Sequence, residues 1–163
     1  MERLTELTVD YLNYQISSGA HAVQLFESFA DVISLELYEK YVQPAHAKIF
    51  SSLNPNFPSI LFTKESPNLE LMLQSGAKVL SVGNCINLEA AKKLAPEVIF
   101  QGNVDNKILA DGSNDEITKA VEICFAETNR KNHILNLNHG LLERTPFENV
   151  QHFVNAAKDL GEI

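Results

Sequence analysis

Cations are scarce in this chain: 163 residues carry 13 lysines and arginines against 21 aspartates and glutamates, a formal charge of −8. With no run of lysine or arginine, that balance withholds the positive field that nucleic acid binding requires, so nucleic acid is not an expected partner. Cysteine is scarce too. Cys85 and Cys124 stand too far apart for a C-x-x-C pair, and both are expected to be reduced and simply packed. No stretch approaches the roughly 18 consecutive apolar residues of a membrane span. Met1-Glu2-Arg3-Leu4-Thr5-Glu6 opens no apolar signal region, so no membrane partner is expected and the expected compartment is the cytoplasm. The phosphate-binding and nucleophile-elbow patterns G-x-G-x-x-G, G-x-x-x-x-G-K-[ST] and G-x-S-x-G are all missing. No histidine pairs with a cysteine or carboxylate at metal-site spacing, so no metal is expected. Linker-like and low-complexity stretches are missing as well, and residues 1–163 read as a single domain.

What remains is an ordinary core-forming composition, 45% hydrophobic and 21% charged. Five short segments rich in β-branched, aliphatic or aromatic residues read as buried parallel strands: Ala22 to Phe26, Ser59 to Phe62, Lys78 to Val82, Val98 to Gln101 and His133 to Leu137. Helical spacing lies between them, as in Leu35, Tyr38, Val42, Ala45 and Ile49, and in Ile117, Val121, Cys124 and Phe125. Ser113-Asn114-Asp115-Glu116 and Thr145-Pro146-Phe147-Glu148 fit the reciprocal capping box, and Ser66-Pro67 repeats the cap logic. Gly19 and Gly76 stand where a left-handed residue would end a helix. The order is a helix followed by five βα units. Such repeats build a parallel sheet covered by helices, either open or part of a closed barrel. A complete (β/α)₈ barrel takes roughly 250 residues, so this chain is either an open sheet or part of one.

In parallel α/β folds chemistry gathers at the carboxyl ends of the strands. The residues there are Glu27-Ser28-Phe29-Ala30, Thr63-Lys64-Glu65, Gly83-Asn84-Cys85, Gly102-Asn103-Val104-Asp105 and Asn138-His139-Gly140. His139 is the sharpest candidate, a titratable ring with glycine beside it. Ser28 is a candidate hydrogen-bond donor, without a neighbouring base to make it a nucleophile. Gln101 to Asp105 reads as a structured turn, Lys64 as a site charge or a partner of Glu65, and His133 as a stabilising residue at the opposite strand end. His21, His46 and His152 have helix-face or helix-end contexts.

The order of motifs is informative: Tyr11-Leu12-Asn13-Tyr14-Gln15-Ile16, then Gly19-Ala20-His21-Ala22-Val23-Gln24-Leu25-Phe26-Glu27-Ser28, then Ile60-Leu61-Phe62-Thr63-Lys64, then Gln101-Gly102-Asn103-Val104-Asp105, then Asn136-Leu137-Asn138-His139-Gly140. Together they resemble the carboxyl-terminal half of uroporphyrinogen decarboxylase, over nearly the entire chain. The resemblance implies an α/β fold of parallel βα units forming the carboxyl-terminal part of a TIM-type (β/α)₈ barrel. It implies decarboxylation, without a cofactor, of the acetate side chains of uroporphyrinogen to give coproporphyrinogen in haem biosynthesis. Phe26, Ser28 and His139 match the family's substrate-lining phenylalanine, serine and histidine.

The family's paired arginines and key aspartate come from the amino-terminal half, so no catalytic acid is assigned in this chain. The expected partners are a porphyrinogen and either a second copy or an amino-terminal half. Two departures stand inside the matched region: Ser81-Val82-Gly83-Asn84 where the family commonly has Gly-Leu-Asp-Trp, and Asn138 where it has glycine. Against an octacarboxylate substrate the chain offers only Arg3, Arg130 and Arg144, and its own field opposes binding. A non-catalytic porphyrinogen-binding module is therefore one alternative. A relative of the zinc-dependent, cobalamin-linked methyltransferases is another, although its thiolate and imidazole ligands are missing.

Overall fold

A computed structural model describes residues 1–66 and 68–161. Two compact units divide the chain, Met1–Leu80 and the residues from Ser81 onward. The first holds helix α1 (Glu2–Ser17), strand β1 (Val23–Glu27), a short α2 (Leu35–Leu37), a π-helical turn (Tyr38–Val42), α3 (Gln43–Ser51), β2 (Ser59–Thr63), α4 (Leu69–Leu73) and the start of β3 (Val79–Ser81). The second holds α5 (Leu88–Leu94), β4 (Ile99–Val104), α6 (Asn106–Asp111), α7 (Asn114–Thr128), β5 (His133–Leu137) and α8 (Phe147–Gly161). Strand order follows chain order, β1-β2-β3-β4-β5. β1 and β2 run parallel, with Val23 opposite Ser59 and Glu27 opposite Thr63. β4 and β5 also run parallel, from Phe100 opposite His133 to Val104 opposite Leu137. All five strands were expected from their apolar runs, and the alternating βα order is that of a partial barrel.

In the first unit the apolar faces of β2 and its helices meet in a core where Tyr38, Leu61 and Met72 are fully buried. Thr63 sits at the end of β2, where its hydroxyl donates to Met72 Sδ at 3.0 Å, which removes the cost of burying it. Gly19 and Gly76 both adopt positive φ after α1 and α4, as their positions predict. In the second unit Leu88, Phe100, Ile117 and Val121 are fully buried under α5 and α7. The Ser113 capping box forms in full: Glu116 N–H donates to Ser113 Oγ at 3.4 Å, and Ser113 N–H donates back to the Glu116 carboxylate at 2.7 Å.

Four expectations need correction. Leu35 to Ile49 is not one α-helix, because Gln43 N–H donates five residues back to the Tyr38 carbonyl and makes a π turn. Pro44 follows at once; it has no N–H to give and its ring crowds the preceding turn, which the wider π turn relieves. Gly102 to Val104 extend β4 rather than forming the expected turn. Polar residues survive there because Asn103 Nδ2 donates to the Gly83 and Ile86 carbonyls at 2.9 and 2.7 Å. The Thr145 hydroxyl is buried without a hydrogen-bond partner, so the second capping box is not made. Cys85 is exposed in the turn after β3, whereas Cys124 is buried as expected. The cap read at Ser66-Pro67 depends on Pro67, which lies outside the described residues.

Candidate functional site

Phe26 and Ser28 belong to the first unit, at the carboxyl end of β1. Phe26 is 65% exposed at the penultimate strand position, with its ring tilted against that of Phe62 at 5.6 Å. Phe29, Phe147 and Tyr14 are exposed to a similar degree, and the Phe26 ring offers a flat apolar face. Ser28 stands exposed in the turn immediately after the strand. Three contacts fix that turn. Glu27 Oε1 accepts the Phe29 N–H at 3.3 Å, the Lys64 N–H donates to the Glu27 carbonyl at 3.0 Å, and Lys64 Nζ pairs with Asp31 at 3.1 Å. Lys64 is therefore tied to Asp31, a partner that neither reading of it, site charge or partner of Glu65, had named.

His139 belongs to the second unit, exposed immediately after β5. Its neighbours are held firmly. Asn138 is buried, its N–H donates to the Val104 carbonyl at 2.8 Å, and its Oδ1 accepts the Asn106 N–H at 2.9 Å. On the other side Asn106 Nδ2 donates to the Gly140 carbonyl at 2.7 Å. Asp105 caps α6 through the Lys107 N–H at 2.9 Å, so the start of α6 is the anchor for the His139 loop. Neither Asn106 nor this anchoring role was anticipated. Asn106 follows a strand and precedes an apolar helical run, and that position was the available signal.

Several other titratable groups are engaged in structure. His133 Nε2–H donates to the Gly102 carbonyl and its ring meets Phe125 edge-on, while burial holds its pKa below the usual histidine range. Burial pushes the Cys124 thiol up, and its Sγ faces Asn103 Oδ1 at 4.0 Å, so it is a poor nucleophile. Arg144 forms a two-point fork on Asp111 at 2.9 and 2.6 Å, and Arg130 lies over the Phe125 ring at 5.6 Å. Two of the three arginines thus have protein partners. Among the described residues there is no group of three or more His, Cys, Asp or Glu side chains that could hold a metal ion. No helix among them is long and apolar enough to cross a membrane.

The sequence signature of uroporphyrinogen decarboxylase (URO-D) matches residues 1–160. The chain belongs to the uroporphyrinogen decarboxylase family. It is 34% identical over 166 residues to the uroporphyrinogen decarboxylase of Trichodesmium erythraeum (strain IMS101), covering 99% of this chain and 47% of that protein. It is 36% identical over 165 residues to that of Geotalea daltonii, covering 99% and 48%. A solved methyltransferase from Methanosarcina mazei superposes with a TM-score of 0.84 at 23% identity, over 96% of this chain and 47% of that one, a likeness of fold. The chain spans about half the length of the curated relatives it matches, and the matched part is the family's carboxyl-terminal half. Of the motif-matched residues, Phe26 and Ser28 lie in the first unit and His139 in the second.

Proposed function

We propose that this chain supplies the carboxyl-terminal half of a uroporphyrinogen decarboxylase site. The single observation carrying the reading is the family match over residues 1–160, within which Phe26, Ser28 and His139 occupy the ends of parallel strands. In the proposed reaction a pyrrole ring carbon is protonated and becomes an electron sink. The bond to an acetate carboxyl then breaks toward the ring, carbon dioxide leaves, and the resulting methylene takes up a proton to become a methyl group while the ring proton is returned. No cofactor is required by this chemistry. The protein must provide an acid, cations for the carboxylates and a wall for the macrocycle. Phe26 is assigned the wall, Ser28 a donor to one carboxylate, and His139 a polar contact to another. The acid and further cations are assigned to an amino-terminal half, in a longer chain or in trans.

One feature favours a second reading, a porphyrinogen-binding module without turnover. The chain's negative field and its engaged arginines give carboxylates little attraction. Mixing this chain with the amino-terminal half of the Trichodesmium protein and following porphyrin carboxylate number by chromatography separates the two. Coproporphyrin formation supports the decarboxylase, and His139→Ala should then cost about 1.5–3 kcal/mol in kcat/KM, as for a hydrogen bond to a charged group. Binding without product supports the module, and neither binding nor product removes both.

A further inference from the structure

A half-buried carboxylate and a buried imidazole face each other beneath the β1 turn. Glu27 Oε2 lies 3.8 Å from His46 Nε2, an ion-pair distance, while the other oxygen holds the Phe29 N–H at 3.3 Å. On its far side His46 Nδ1 is 3.4 Å from the Tyr38 hydroxyl. Tyr38 is 0% exposed and His46 is 4% exposed, so each polar atom depends on the others for a partner. A neutral imidazole serves every contact only as the Nε2–H tautomer, with the Tyr38 O–H donating to Nδ1. Burial, with the Glu27 charge adding to it, pushes the Tyr38 phenol up and keeps it a donor. The His46 imidazole beside it holds the Glu27 carboxyl below its ordinary range, against the effect of burial. The sequence hides this arrangement, since α3 brings His46 to β1 only in the fold.

We propose that Glu27 and His46 form a positioning pair: the buried imidazole steadies the Glu27 carboxylate on the Phe29 N–H and so sets the turn that presents Ser28. His46 acts through Glu27 and touches no reacting atom. The consequence for Ser28 rests on the reading of that serine as a substrate contact, whereas the pair itself is tested in the present chain. The titratable groups facing Glu27 are His46 from α3 and Tyr38 from the π turn, and Met1, Thr5 and Thr8 line a cavity of about 190 Å³ together with Glu27 and His46. Glu2 and Glu6 turn instead to Lys48, and Asp31 to Lys64.

The experiment is a ¹³C titration of the Glu27 side-chain carboxyl in the 163-residue chain, with the Ser28 and Phe29 amides followed in the same samples. In the wild type both amides should move with the Glu27 midpoint. His46→Leu should shift that midpoint upward and abolish the coupled Phe29 displacement, and His46→Gln, whose amide N–H can still face the carboxylate, should restore both. Glu27→Gln keeps the shape of the side chain and should leave both amides still over that pH range, so the test survives if His46→Leu does not fold. A Glu27 midpoint unmoved by His46→Leu, or amides that keep moving in Glu27→Gln, overturns the pair. Binding of oxidised uroporphyrin to the complemented protein is measured alongside. Coupled amides without porphyrin binding defeat the decarboxylase reading alone, and porphyrin binding with uncoupled amides defeats the pair alone.

Discussion

Asn106 N–H donates to Asn138 Oδ1 at 2.9 Å, and the same asparagine's side chain donates to the Gly140 carbonyl at 2.7 Å, so one residue holds both flanks of His139. Asn138 and Asn106 are both buried, which makes each lost contact expensive. Asn106→Ala removes only the side-chain bond and should destabilise the chain by about 1 kcal/mol. Asn138→Gly strips the acceptor from a buried N–H and adds backbone freedom. It should cost about 1–3 kcal/mol. Urea denaturation of the two variants decides this, and a neutral Asn138→Gly would remove the anchoring role.

Acid stability should depend on His133. Its pKa is depressed, by burial first and by the Lys92 charge in addition, so the folded chain resists a proton that the unfolded chain accepts. The contribution of neutral His133 is complete above the unfolded value of about 6.5. It is lost as pH falls from there toward the depressed folded value, below which it changes no further. Denaturation midpoints at pH 7.5 and 5.5 should therefore separate more in the wild type than in His133→Gln. Equal separation would show that carboxylates alone govern the acid limb.

Gly102 offers a sharper contrast. It holds φ +128° within β4, and an added Cβ would lie 2.7 Å from the Val82 carbonyl oxygen, a backbone atom that cannot swing aside. Gly102→Ala combines that clash with backbone strain and should cost about 3 kcal/mol or more. Gly140 has open space around its Cβ position and no positive φ, so Gly140→Ala should stay within about 0.5–1 kcal/mol of wild type. Thermal melts of the pair provide the comparison.

The five strands were legible because their signal is local: runs such as Ser59 to Phe62 and His133 to Leu137 carry their own pattern. Ser113 and Gly76 were legible for the same reason, since a cap or a left-handed residue acts within a few positions. Ser28 and His139 came from strand-end position together with the family motifs. What was not legible depends on partners far along the chain. Asn103 stays in a strand because carbonyls 20 and 17 residues earlier receive its amide, and Gly102 lies against Val82. Lys64 finds Asp31 and His46 finds Glu27 only after β1, β2 and α3 have assembled. The family motifs mark Phe26, Ser28 and His139, and they are silent about Asn106, which holds both flanks of His139.

The outer face of α1 carries an apolar stripe. Leu4, Leu7, Tyr11 and Tyr14 are 60%, 64%, 59% and 68% exposed, while Thr5 and Leu12 on the other face are buried. The spacing of three, four and three residues puts all four side chains on a single stripe, as if for a neighbouring helix. An apolar stripe of this kind costs solubility unless something covers it. In a barrel the helix of the preceding βα unit lies beside such a helix, and the proposed amino-terminal half provides one. Leu7→Glu with Tyr11→Glu should weaken complementation by that half at least tenfold, the effect of about 1.4 kcal/mol from placing charges in a desolvated contact. The same exposed substitutions should alter the stability of the isolated chain by no more than about 0.5 kcal/mol each. Sedimentation of the isolated chain should show concentration-dependent self-association that the double substitution abolishes. Full complementation by the double variant, with unchanged sedimentation, would mean that the stripe faces water in the assembled protein and that the partner docks elsewhere.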